Sequence, residues 1–86
     1  MEKVIDVEFT VMWSSPVFVH VGYGMPERID GPEAALSALL HRWPANARPE
    51  FEVAKRHCVE ALTHHGSADL ARSAFINAAA AAKVLT

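Results

Sequence analysis

The stretch "DGPEAALSALLHRWP", Asp30 to Pro44, decides the fold. Upstream of it apolar and polar residues alternate, the period of a strand covered on one face. Within it the apolar residues return every three or four positions, and Ala35, Leu36, Leu39, Leu40 and Trp43 form one helical stripe. Asp30 and Glu33 have the three-residue spacing of a capping box, and Pro32 suits the first turn, where its missing N–H is not needed. Pro44 disfavours the helical conformation at Trp43 and ends the element.

Working back towards the N-terminus, Val7, Phe9, Val11 and Trp13 in "VEFTVMW" alternate with Glu8, Thr10 and Met12, which predicts a strand. "SSP" interrupts it at Pro16. "VFVHV" then resumes the period, with Val17, Val19 and Val21 on one face and Phe18 and His20 on the other, so both faces are expected to be covered by helices or a second chain. Gly22 to Gly24 form a turn, and "PERID" reads as a short third strand.

Working forward, a second helix is expected from about Pro49 to Gly66, the permissive residue past its end. Its core stripe is Phe51, Ala54, Cys58 and Leu62, flanked by Val59 and Ala61. Ser67 reads as the N-cap of a third helix through "LARSAFINAAAAAKVL", with Leu70, Ala71, Ala74, Phe75, Ala78, Ala79 and Ala82 on a face suited to close helix packing. The expected architecture is α+β: a small two- or three-stranded antiparallel sheet followed by three helices. Residues 1–86 read as one domain, with 1–6 disordered or extending a strand, 7–30 a β-meander and 31–83 the helices.

With 86 residues, 51% hydrophobic and 21% charged, the chain has the makings of a folded core. Eight Lys and Arg against ten Asp and Glu leave a net charge of −2, which argues against binding nucleic acid. The single cysteine cannot close an internal disulfide, and Glu2, Lys3, Asp6 and Glu8 interrupt what a signal peptide would need, so a cytoplasmic location is expected. No apolar run approaches the roughly 20 residues of a membrane span.

The chemically suggestive stretch is "AKRHCVEALTHHG", Ala54 to Gly66. Successive helical residues point about 100° apart, so His57 and Cys58 are not a side-by-side base and nucleophile, and Cys58 to His65 spans roughly 10 Å of helix axis. His57, Glu60 and His64 do share a face and are the candidate site for a divalent metal, although the spacing is a weak zinc signature. A solvated polar face explains the same letters. His64 and His65 also suit the negative end of the helix dipole, as does His41 in the first helix. The basic residues Arg42, Arg48, Lys55 and Arg56 read as a solvated face, and no nucleophile, base and oxyanion donor converge.

The order Trp13, Pro16, Val17, Val19, then Ala35 to Pro44, then Ala54 and Cys58, then Ala71 to Ala79 resembles a family of small alphaproteobacterial proteins, typical of rhizobia and agrobacteria, known as domain of unknown function 982. The resemblance spans Trp13 to about Ala82. It implies a short bacterial α+β protein with no established activity and carries over no catalytic residue. The motif positions Trp13, Pro16, Trp43, Pro44, Cys58, Arg72 and Phe75 read as structural, with Arg72 alone charged. The expected function is a noncatalytic interaction or regulatory module forming a homodimer, with no cofactor; the alternative is a small-molecule or metal-binding protein using the His and Glu helix face.

Overall fold

The computed structural model describes residues 12–21, 25–44, 49–63 and 66–86. Strand β1, Val17–Val19, pairs antiparallel with β2, Glu27–Ile29, in the register Val17 to Ile29, Phe18 to Arg28 and Val19 to Glu27. Three helices follow: α1, Pro32–His41; α2, Pro49–Thr63; and α3, Ala68–Ala81. This is the expected α+β arrangement, with two strands in the sheet among the described residues. Of the strand expected at Val7 to Trp13, residues 7–11 lie outside the described residues, as does the glycine turn at 22–24. Met12 and Trp13 are not in a strand; Trp13 instead donates its backbone N–H to the Asp30 carbonyl at 2.7 Å, tying the entry of β1 to the exit of β2.

One face of the sheet supplies Val17, Val19 and Ile29 to the core, and the helices supply the rest. α3 packs most extensively on α2 and also reaches α1 and β1. Both buried faces are dominated by small residues, Ala54 and Cys58 on α2 and Ala71, Ala74, Ala78 and Ala79 on α3, and small contacts let helix axes come close. Phe75 is the large exception. It has no exposed surface and lies between Trp13 and Trp43, with ring centroids 5.9 and 5.4 Å away and tilted planes. Such pairs add about 0.5–1.5 kcal/mol each beyond simple burial.

Several ends differ from expectation for local reasons. The N-cap of α1 is Gly31 and not Asp30; the Asp30 carboxylate accepts from Arg28 Nε at 2.6 Å and caps nothing. Pro32 still opens the helix, and the carbonyl of Gly31 receives the N–H of Ala35. Ser67 caps α3 as expected, its hydroxyl accepting from the N–H of Leu70 at 3.1 Å. Expected to run on to Leu85, α3 stops at Ala81. Lys83 takes the left-handed conformation at φ 63°. The Lys83 N–H then bonds the Ala80 carbonyl and the Val84 N–H the Ala79 carbonyl, a Schellman closure with lysine where glycine is usual, which costs about 1–2 kcal/mol.

The turn sends the last residues back to the sheet. His20 N–H bonds the Val84 carbonyl at 2.7 Å, Thr86 N–H bonds the Phe18 carbonyl at 3.1 Å, and Val19 bridges Leu85 antiparallel. β1 therefore has β2 on one edge and the tail on the other. On its second face Phe18 is 42% exposed, with no helix among the described residues closing over it.

Gly66 also has a different reason from the one expected. Its backbone is not left-handed; it passes so close to α2 that a Cβ would come within 2.8 Å of the Glu60 carbonyl carbon, while its N–H bonds the Glu60 carbonyl oxygen at 3.0 Å. Space, not conformational freedom, requires glycine there.

Candidate functional site

α2 carries the candidate residues, and its two sides meet different surroundings. The inward side holds Ala54 and Cys58, both without exposed surface. Burial pushes the Cys58 thiol up to about 12, since a thiolate there would lose its hydration without gaining a cation. Cys58 is thus a buried, protonated packing group at neutral pH.

The polar side holds His57 and Glu60, with His57 Nδ1 3.7 Å from Glu60 Oε1. That separation is an ion-pair contact when the imidazole is protonated and is longer than a hydrogen bond. His64, the third member of the candidate metal face, lies outside the described residues, as does His65. His57 and Glu60 alone offer two donors, fewer than a structural zinc site requires.

Among the described residues, grooves lie on both sides of α2. The one between α2 and α3 has a volume of 430 Å³ and is walled by Val53, Leu70 and Ala74, with Glu50, His57, Ser73 and Asn77 as its polar groups. The one between α1 and α2 has a volume of 440 Å³ and is walled by Leu36, Leu40 and Val59, with Glu52, Lys55, Arg56 and Glu60 around them. Leu40 is 52% exposed, Val59 39% and Leu70 56%, so both grooves present aliphatic carbon to water. Lys55 leans over the Phe51 ring at 5.4 Å and sits 3.5 Å from Glu52. Arg56 has no carboxylate within ion-pair distance among the described residues.

The sequence pattern assigns Leu40 and Leu70 to the packed stripes, and the structure places both outside, burying Ala38 in α1 instead. The missed signal is the width of the apolar arc. Leu36 and Leu40 lie one turn apart and about 100° beyond Ala35 and Leu39, so α1 has two adjacent apolar stripes and only one can face the core.

Other motif positions make contacts within the fold. Trp43 packs against Phe75 with tilted ring planes, as above, and Pro44 follows the end of α1. Arg72 donates from Nε to the Ser15 carbonyl at 2.9 Å, fastening α3 to the segment before Pro16 and β1. Arg42 forms a two-point contact with the Glu27 carboxylate, one arm at 3.2 Å, linking the end of α1 to β2.

Comparisons with known proteins agree with this picture. The family model described as protein of unknown function (DUF982) matches residues 15–86. The match begins just after Trp13 and includes the tail that pairs with β1. Among solved structures, the NMR structure of the Agrobacterium tumefaciens protein Atu1219 is similar, with 33% sequence identity, 88% of this chain and 76% of that chain covered, and a TM-score of 0.73. No curated protein matches the sequence.

Proposed function

For this chain, which belongs to the DUF982 family of proteins of unknown function, we propose the role of a noncatalytic interaction module that associates with copies of itself. The observation that carries the reading is the set of aliphatic side chains left exposed in the grooves beside α2: Leu40 from α1, Val53 and Val59 from α2, Leu70 from α3. Clustered apolar surface rimmed by charge is what protein contacts use. The buried, protonated Cys58 supports a scaffold in place of an active centre.

Residues 1–86 act in this reading as one cytoplasmic domain forming a homodimer. A free, buried cysteine suits a reducing compartment, and no helix among the described residues is long and apolar enough to cross a membrane. Nucleic acid is not the partner: Lys55 and Arg56 stand among Glu52 and Glu60, which cancel their field, and the chain's net charge is −2. Retention on DNA or RNA at low salt would contradict that part. Sedimentation velocity over about 10–500 μM protein tests the whole, since self-association raises the weight-average mass with concentration. A mass that stays at one chain throughout removes the reading.

The contact between His57 and Glu60 favours a second reading, a divalent cation held by His57, Glu60 and His64. Zinc titrated into the protein by calorimetry then gives heat that disappears when His57→Ala and His64→Ala are combined. Heat equal to dilution sinks it.

A further inference from the structure

We propose that two copies pair through the groove between α1 and α2, with the α2 helices antiparallel across a two-fold axis. This rests on the self-association reading above and names the surface that performs it. A two-fold contact uses the same patch on both partners, so the patch must complement itself in shape and in charge.

Arg56 and Glu60 are one helical turn apart on the same face of α2, and both border the groove. An axis crossing α2 at the level of residue 58 sets each Arg56 opposite the other copy's Glu60, twice over. Val59 then lies about 1.5 Å along the helix from the axis and meets its own counterpart, with Leu40 beside it. The central contact is aliphatic and the charges stand at its rim, the usual division between affinity and register.

The charges are available for this. Arg56 has no ion-pair partner among the described residues, and Glu60 has only the 3.7 Å contact with His57. Leu40, at 52% exposure, and Val59, at 39%, have surface to bury. The groove between α2 and α3 lacks the same property: apart from His57 it offers no cation to answer Glu50, so it does not complement a copy of itself.

Charge exchange tests the pairing. R56E and E60K each set like charges opposite at both ends of the contact, and each is expected to weaken self-association by about tenfold or more. An equimolar mixture of the two is expected to associate as the unmodified protein does, because the new acid of one meets the new lysine of the other and the remaining arginine and glutamate meet as before. The double variant R56E with E60R, which exchanges the pair within one chain, should also associate normally, and thermal melts followed by circular dichroism report folding of each. Recovery in the mixture or in the double variant supports the surface. Association unaffected by either single change, or lost and restored in neither case, overturns it while leaving self-association intact; an unmodified protein that stays monomeric to about 500 μM overturns both.

Discussion

The inner and outer faces of α2 are built from neighbouring letters and meet opposite fates. Ala54 and Cys58 have no exposed surface, whereas Val53 and Val59, one position away from each, are 36% and 39% exposed. The same inversion runs through the other helices: α1 buries Ala35 and Ala38 and leaves out Leu40, and α3 buries Ala71 and leaves out Leu70. Selection for the core follows direction and size more than hydrophobicity. Small side chains allow three short helices and a two-stranded sheet to close around Phe75. The larger aliphatics that do not fit inside become the surface available to a partner.

The interior is the place where this contrast breaks most severely. Phe75→Ala removes the large side chain that both Trp13 and Trp43 pack against and is expected to cost about 3–5 kcal/mol, read as a lower urea midpoint. A loss below about 1 kcal/mol would mean that the aromatic contact is not the centre of the core.

Cys58 gives a pH-dependent version of the same test. The folded protein holds its proton to about 12, whereas an unburied thiol releases it near 9. Above pH 9 the unfolded chain therefore binds fewer protons than the folded one, and stability falls as pH rises from about 9 to about 12; below 9 the contribution is fully present. The three-unit difference corresponds to up to about 4 kcal/mol at the upper end. Cys58→Ala should flatten this part of the alkaline unfolding profile relative to the unmodified protein, and parallel profiles would show that the thiol is solvated.

The boundary between α2 and α3 is expected to respond less. Gly66→Ala pushes a methyl group to 2.8 Å from the Glu60 backbone, which cannot swing aside as a side chain can, and should cost about 1–3 kcal/mol in thermal or urea unfolding. An unchanged midpoint would show that the connection relaxes freely.

The outer face should hardly register in stability at all. Leu40→Ser and Val59→Ser, at exposed positions, are expected to shift unfolding by no more than about 0.5 kcal/mol while lowering self-association in sedimentation. A large stability loss would place these residues in the core and erase the distinction between the two faces.

Much of the fold is legible in the letters because the signals are short-ranged. Pro32, Pro49 and Ser67 each mark a helix start through a missing N–H or a hydroxyl that reaches three residues ahead, and all three do so. The switch of period at Asp30 separates sheet from helices correctly, and the helical stripe through Ala54 and Cys58 is the one that is buried. The cap at Asp30 failed because its carboxylate had a nearer cation in Arg28. The grooves were illegible for another reason: two apolar stripes on one helix have equal claims to the core until the neighbouring surfaces are in place.

What the sequence by itself determined is the order and type of the elements, and the burial of Cys58, because backbone geometry and hydrophobic periodicity act within a turn or two of helix. Only the tertiary structure decided that the residues after Lys83 return to β1, that Arg72 reaches the Ser15 carbonyl, and that Leu40 and Val59 border a groove rather than fill the core. Those outcomes depend on which surfaces arrive opposite one another, and contacts between residues as distant as Ser15 and Arg72 leave no local pattern to read.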